Sequence, residues 1–146
     1  MKTSQAGIAL IKNFEGLRLQ AYQDIAGIWT IGYGSTKDVR RGDTCTEAEA
    51  VQMLADDLKP FEAAVGKAIG KAKTRQAQFD AMVSLAYNIG SGNFARSTVL
   101  RDHVAGLYPQ AANAFRMWNK ATVRGQLVVV NGLTRRREIE RNLYLS

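Results

Sequence analysis

Residues 14–34 read FEGLRLQAYQDIAGIWTIGYG, and the type of structure that they predict changes halfway along. Apolar residues recur at helical spacing up to Phe14, which predicts a helix that ends near Glu15. Residues 27–34 are rich in β-branched and aromatic residues between glycines, as in a strand. We therefore predict that Glu15 lies at a helix end and that Asp24 lies on or beside a β-hairpin.

The composition is typical of one globular domain. The chain has 146 residues, of which 46% are hydrophobic and 23% charged, and it contains only two prolines. The net charge of +7 indicates a polyanionic partner. Charge alone does not choose among nucleic acid, an anionic membrane surface and an acidic cell-wall polymer.

The counts of cysteine and histidine exclude several kinds of site. Cys45 is the only cysteine, so the chain forms no internal disulfide and suits a reducing compartment. His103 is the only histidine, and we predict it on a helix surface. A zinc site built from His and Cys cannot be assembled, and we expect no metal or cofactor. The apolar run at 7–11 is too short for a signal peptide, so we expect another agent to release the protein if its substrate lies outside the cytoplasm.

The remaining elements predict an α+β protein that is mainly helical, with a small β-rich lobe and a larger helical lobe. Ser4 is a plausible helix cap and Gly16 a stop, and Thr46 with Glu49 forms a capping box. A third short strand is predicted near 36–39, a helix kink near Pro60, and a buried connector at 127–130. Further helices are predicted from Thr74 to Gly90 and at roughly 97–104, 109–120 and 134–144, with Met117 and Trp118 in the core.

Two carboxylates and a hydroxyl in one short stretch suit the cleavage of a glycosidic bond, which needs one protonated acid and one carboxylate. Glu15 follows an apolar residue at a helix C-terminus, where the dipole disfavours negative charge, so we predict that it donates a proton. Asp24, in a turn, would activate water or stabilise the transition state, and Thr30 could hold the water. The alternative is that Glu15 pairs with an arginine, Asp24 shapes a turn and Thr30 is an ordinary strand residue.

The same stretch resembles the signature of the bacteriophage lysozymes, the endolysins of tailed phages. Their pattern is Glu, eight residues, Asp, five residues, Thr, then Ile-Gly-x-Gly, and Glu15, Asp24, Thr30 and 31–34 match it throughout. The resemblance continues at 87–90, 94–101, 115–118 and 132–140, and so covers almost the whole chain.

The resemblance implies one lysozyme-like domain over 1–146, with a β-rich lobe at about 16–45 and a helical lobe at about 60–146 plus the N-terminal helix. It implies a muramidase that hydrolyses, with inversion, the β-1,4 bond between N-acetylmuramic acid and N-acetylglucosamine in peptidoglycan during host lysis. By position, Glu15 is the general acid, Asp24 the base or stabilising carboxylate, and Thr30 positions the water. The protein is expected to wait in the host cytoplasm as a monomer until a holin opens the membrane.

One position departs from the family pattern. Many members have histidine directly after Gly-x-Gly, where this chain has Ser35. In those relatives the histidine bonds a carboxylate between the lobes, so we expect the β-lobe to be anchored differently here.

Four residues are predicted to bind substrate: Gly32, Asn88, Phe94 and Arg137. Glycine at position 32 would let a substrate approach the strand backbone. A helix end and loop at 88–94 would line the cleft, although a plain helix cap with a core phenylalanine is an equal alternative. Arg137 would face Glu15, and the favoured alternative for this region is a helix with ion pairs Arg136–Glu140 and Glu138–Arg141.

Three rival functions follow from the same residues. A basic wall-binding or membrane-permeabilising module would need no catalysis. A transglycosylase would cleave the same bond without water. A nucleic-acid-binding protein is supported only by charge, because basic and aromatic residues are not interleaved, and we expect no nucleic-acid partner.

Overall fold

The computed structural model describes all residues, 1–146. Most of the chain is helical and two small antiparallel hairpins are present, which confirms the predicted α+β class. The chain divides into two compact units, residues 8–60 and residues 1–7 together with 61–146. The elements are α1 (Gln5–Glu15), β1 (Arg18–Gln23), β2 (Trp29–Gly32), α2 (Glu47–Ile69), α3 (Gln76–Ile89), α4 (Ser91–Ala95), α5 (Thr98–Val104), α6 (Tyr108–Ala114), a 3-10 turn (Phe115–Met117), β3 (Lys120–Val123), β4 (Gln126–Val129) and α7 (Asn131–Leu145).

Both predicted helix starts in the first half of the chain carry the expected caps. The backbone N–H of Gly7 donates to Ser4 Oγ at 3.3 Å ahead of α1. At α2, Glu49 N–H donates to Thr46 Oγ1 at 3.1 Å and Thr46 N–H donates to Glu49 Oε1 at 3.0 Å, which completes the capping box. Pro60 lies inside α2. No helix combines the length and apolar character needed to cross a bilayer.

The predicted third strand at 36–39 is wrong. The segment is a turn in which Asp38 adopts a left-handed conformation, φ +56°, that an extended strand does not accommodate. Asp43 then closes a second turn, because its carboxylate accepts from the backbone N–H of Arg40 at 2.8 Å. The chain meets the hairpin again at an isolated bridge between Gln20 and Thr44, where Ala21 N–H donates to the Asp43 carbonyl at 2.8 Å.

The second unit is built around α3, which is buried on every side from Gln78 to Ala86. A helix without a solvent face belongs in the core of a globular unit. It packs on α7, which returns at the end of the chain. The buried apolar side chains of this unit come from most of its helices: Val65, Phe79, Met82, Leu85, Phe94, Val99, Phe115 and Tyr144.

His103 is a core residue, and its predicted surface position is wrong. Its side chain is 1% exposed and bridges Thr74 Oγ1, at 2.8 Å from Nε2, and Tyr144 Oη, at 2.6 Å from Nδ1. Because Thr74 donates its own hydrogen to the Ala72 carbonyl, at 3.0 Å, Oγ1 accepts from Nε2–H. Nδ1 therefore accepts from the hydroxyl of Tyr144. Burial lowers the pKa of His103.

The segment 109–130 differs most from the predictions. The helix ends at Ala114 instead of continuing to Lys120, and Met117 is exposed rather than in the core. The predicted buried connector at 127–130 is largely an exposed strand, with Leu127 67% exposed. The cause is the turn before it, because Arg124 and Gly125 both have positive φ and direct β4 back along β3.

The buried histidine generates a pH prediction. The pKa of an unfolded-state histidine is about 6.5, and the folded-state pKa of His103 is lower. As the pH falls, the unfolded chain therefore binds a proton at His103 more readily than the folded chain does. The contribution of His103 to the free energy of unfolding is complete above pH ~6.5 and decreases progressively below it. We expect urea unfolding at pH 7.5, 6.5 and 5.5 to show falling stability, by up to about 1.4 kcal/mol per pH unit from this group.

The control is His103→Gln, which is uncharged at every pH. We expect this variant to be less stable at pH 7.5 but to lose less between pH 6.5 and 5.5. Parallel curves for parent and variant would refute the assignment.

Candidate active site

Glu15 is the last residue of α1 and is half-buried. The helix stops there because Gly16 takes a left-handed conformation, φ +71°, and its N–H donates to the Lys12 carbonyl at 2.9 Å. A side-chain carbon placed on Gly34 would lie 3.6 Å from Glu15 Oε2. The carboxyl group is therefore directed at the turn that follows β2.

Asp24 occupies the turn between β1 and β2. Its Oδ1 accepts from the backbone N–H groups of Ala26 and Ile28, each at 2.9 Å. Its own N–H donates to the Ile28 carbonyl, and Gly27 N–H donates to the Asp24 carbonyl, both at 2.9 Å. Asp24 thus shapes its turn, as the structural alternative predicted. The same hydrogen bonds fix the position of its carboxylate, whose catalytic role stays a prediction.

Thr30 lies in β2 opposite Tyr22, and its side chain is buried. Its Oγ1 donates to the Ile28 carbonyl at 2.9 Å. A hydroxyl has one hydrogen to donate and two lone pairs that accept. Because the hydrogen is committed to Ile28, Thr30 Oγ1 is oriented to accept a hydrogen bond, as the holding of a water requires.

Gly32 ends β2 in a left-handed conformation, φ +66°. A side-chain carbon here would lie 3.2 Å from Ala50 Cβ and 3.3 Å from Met53 Cε, so α2 packs directly on the glycine backbone. Packing on α2 therefore accounts for the glycine. Contact of Gly32 with substrate stays a prediction.

Ser35 supplies the anchoring that the missing histidine left open. Ile31 and Ser35 exchange two backbone hydrogen bonds of 2.9 Å, which close the turn between them. The buried hydroxyl of Ser35 donates to Asp57 Oδ2, on α2, at 2.6 Å. Sequence reasoning did not identify Asp57, because a partner 22 residues away leaves no local pattern.

The other predicted substrate-binding residues lie in the second unit. Asn88 is exposed near the end of α3 and, with Asn93, Trp118 and Lys120, lines a cavity of about 280 Å³. Asn88 therefore remains a candidate for substrate contact. In the whole chain, no three His, Cys, Asp or Glu side chains come together as a metal site would require.

Phe94 and Arg137 are each 1% exposed, and we do not retain them as substrate contacts. Arg137 Nε lies 2.7 Å from Glu140 Oε1, and its Nη1 donates to the Trp118 carbonyl at 3.3 Å. The arginine serves a buried ion pair, and its place opposite Glu15 stays a prediction.

The ion-pair alternative for this helix is partly confirmed. Arg136 Nε lies 3.3 Å from Glu140 Oε2, the predicted pair. The predicted Glu138–Arg141 pair is replaced by two others. Arg116 Nε lies 2.5 Å from Glu138 Oε1, and Arg141 Nε donates to Asn113 Oδ1 at 3.1 Å.

Comparison with known proteins shows the family to which this chain belongs. Residues 12–140 match the phage lysozyme family. The chain is 41% identical to an endolysin of Acyrthosiphon pisum secondary endosymbiont phage 1 over 100% of this chain and 99% of that protein. An endolysin structure from Escherichia coli O157:H7 phage FAHEc1 superposes with a TM-score of 0.95 at 47% identity, covering 100% of this chain and 94% of the other. The muramidase domain of SpmX from Asticaccaulis excentricus superposes with a TM-score of 0.93 at 43% identity, covering 99% of this chain and 98% of the other.

The family match, the mainly helical fold and the structural neighbours together define a lysozyme-type glycoside hydrolase. The chain belongs to the phage lysozyme family. The predicted family, fold class and enzyme class are confirmed.

We predict that Ser35→Ala lowers the free energy of unfolding by about 1–3 kcal/mol, because a carboxylate oxygen of Asp57 loses its donor. Thr36→Ala, at the exposed neighbour, is the matched control and should change stability by less than about 0.5 kcal/mol. Urea unfolding at pH 7 measures both. Equal values for the two variants would show that the Ser35–Asp57 bond contributes nothing.

The two glycines of the turn give a second prediction. Gly32→Ala and Gly34→Ala both place a side chain at positive φ, which costs about 1–2 kcal/mol. Only Gly32→Ala also brings its methyl group against α2, so it should be the more destabilising variant in urea unfolding. Gly34→Ala places its methyl group beside Glu15 and should lower activity more at equal folded fraction. A reversal of either order would contradict this description of the turn.

Proposed function

We propose that this chain is a phage endolysin that hydrolyses the β-1,4 bond between N-acetylmuramic acid and N-acetylglucosamine in peptidoglycan. The observation that carries the proposal is the placement of Glu15. Its carboxyl group is directed at the Gly32–Gly34 turn, in the unit that also holds the Asp24 turn and the Thr30 hydroxyl. Glycoside hydrolysis requires a proton donor, a fixed carboxylate and a hydrogen-bond acceptor for the attacking water, and this unit holds all three.

Catalysis begins with proton transfer from Glu15 to the oxygen that links the two sugars. The bond between this oxygen and the sugar C1 breaks, and positive charge develops on C1 and the ring oxygen. Asp24 stabilises that charge and takes a proton from the attacking water, whose oxygen forms the new bond to C1. Thr30 accepts the water's other hydrogen and so orients it.

The Asp24 turn suits this role because it needs no rearrangement during the reaction. Two backbone N–H groups already hold Oδ1 at 2.9 Å. A charged group that is fixed before reaction stabilises developing charge without reorganisation. The same argument applies to Thr30, whose rotamer is set by its bond to the Ile28 carbonyl.

The rest of the molecule contributes binding and charge. We propose that Asn88, with Gly32, contacts the glycan, and that the net charge of +7 favours the anionic wall polymer. The whole chain acts as one lysozyme-like domain and as a monomer. We further propose that it waits in the host cytoplasm and reaches the wall after a holin opens the membrane.

The decisive variant is Glu15→Gln, which keeps the size of the side chain and removes its acid. We expect lysis of purified peptidoglycan, followed as loss of turbidity, to fall by about 100- to 10,000-fold at equal folded fraction while wall binding is unchanged. Glu47→Gln, an exposed glutamate of α2, is the control and should lyse as the parent does. If Glu15→Gln retains more than a few per cent of activity, Glu15 is not the proton donor.

The products separate this function from its rivals. Hydrolysis leaves a reducing-end muramic acid, whereas a transglycosylase leaves an anhydro-sugar that mass spectrometry distinguishes by one water. Turbidity loss with neither a new reducing end nor an anhydro-sugar would favour a non-catalytic module.

A further inference from the structure

The β3–β4 hairpin takes no part in the proton transfers of the glycosidase mechanism, although Lys120 at its start lines the cavity beside Asn88. The strands pair antiparallel, from Lys120 opposite Val129 to Val123 opposite Gln126. The connection is two residues long, and both Arg124, φ +52°, and Gly125, φ +79°, have positive φ. Such a turn matches the natural twist of the two strands and fixes which side chains share a face.

Both faces of this hairpin carry exposed apolar side chains. Because neighbouring residues on a strand point to opposite sides, Leu127 and Val129 share one face, while Val123 and Val128 share the other. Leu127 is 67% exposed and Val129 56% exposed, and the two valines of the opposite face are also exposed. Apolar groups on a soluble surface are ordinary when single, whereas a cluster marks an interaction site.

The segment of the chain that contains the hairpin carries charge of one sign. Residues 103–137 contain no Asp or Glu. Lys120 and Arg124 are exposed within the hairpin itself. Arg124 occupies a left-handed position that glycine or asparagine would adopt with less strain, so a cation is held at the tip at a conformational cost.

We propose that the β3–β4 hairpin is a membrane-surface anchor that inserts its apolar side chains into the interface of an anionic phospholipid bilayer. A folded protein partner would cover one face of the ribbon, whereas a fluid lipid layer surrounds both faces. The cations Lys120 and Arg124 match anionic headgroups, and their aliphatic stems extend along the apolar layer. This inference is independent of the glycosidase mechanism.

The dimensions limit the mode of binding. Strands of four residues are about 13 Å long, and a strand that spans a bilayer needs about 9–11 residues. The hairpin reaches only the interfacial depth of roughly 5–10 Å at which amphipathic segments bind. The association is therefore peripheral and reversible, and it should weaken as salt screens the cations.

Co-sedimentation with vesicles tests the proposal. The full-length protein should bind vesicles containing phosphatidylglycerol, bind pure phosphatidylcholine vesicles much less, and be released by added salt. Leu127→Thr should weaken binding about tenfold through lost apolar burial, and Arg124→Gln about fivefold. The control for Leu127→Thr is Val104→Thr, which changes an exposed apolar residue of α5. The control for Arg124→Gln is Lys71→Gln, which removes an exposed cation outside the hairpin. Each control should weaken binding less than the hairpin variant with which it is matched.

Separate measurements guard against misfolding and against other partners. Threonine suits an exposed strand, so Leu127→Thr should keep the parent's unfolding midpoint and its lysis of membrane-free peptidoglycan. A Leu127→Trp variant reports depth, because brominated lipids should quench its added fluorescence.

Five results would overturn the anchor. Leu127→Thr could bind anionic vesicles as tightly as the parent, or Lys71→Gln could weaken binding as much as Arg124→Gln, which would leave only net charge. Leu127→Thr could lose lysis of membrane-free peptidoglycan, which would make the hairpin a glycan contact. Insertion would also be excluded if the parent self-associates and Leu127→Thr abolishes this association. The same holds if brominated lipids fail to quench the fluorescence of the Leu127→Trp variant.

Discussion

The turn between Ile31 and Ser35 is the constraint on which the candidate site depends. Two reciprocal backbone hydrogen bonds close it, and the hydroxyl of Ser35 ties it to Asp57 on α2. Gly32 lets α2 approach so closely that an added side-chain carbon would lie only 3.2 Å from Ala50 Cβ. Gly34 then presents bare backbone to the carboxyl group of Glu15. One short segment therefore joins β2, α2 and the catalytic acid proposed here.

A buried charged cluster plays the corresponding part in the helical unit. Glu140 is fully buried and forms ion pairs with Arg136 and Arg137. The hydroxyl of Ser84 also donates to Glu140 Oε2 at 2.5 Å. A buried ion pair adds little net stability compared with an apolar core, but removal of one partner costs several kcal/mol. Such a cluster restricts how α3 and α7 can pack, because a shifted helix would leave a charge without its partner. Arg137 therefore belongs to the scaffold of this unit.

Local signals in the sequence were reliable where the cause is itself local. The caps at Ser4 and Thr46, the helix stops at Gly16 and Gly90, and the helix-to-hairpin change near Glu15 all depend on residues within four positions of one another. The spacing of Glu15, Asp24 and Thr30 likewise needed no tertiary information. These patterns led to the family and to the three proposed catalytic residues.

Burial was decided by residues far apart in the chain. His103 is a core residue only because Thr74 and Tyr144 converge on it, and Arg137 is buried only because α3 and α7 enclose its ion pair. Leu127 is exposed because the turn before it directs β4 along β3 and no other element covers the ribbon. The sequence alone determined the capped starts of α1 and α2, the glycine stops of α1 and α3, and the place of Glu15 at a helix end, since short-range sterics and hydrogen bonds control these features. The tertiary structure alone decided which side chains meet water, because exposure depends on partners that sequence spacing does not encode.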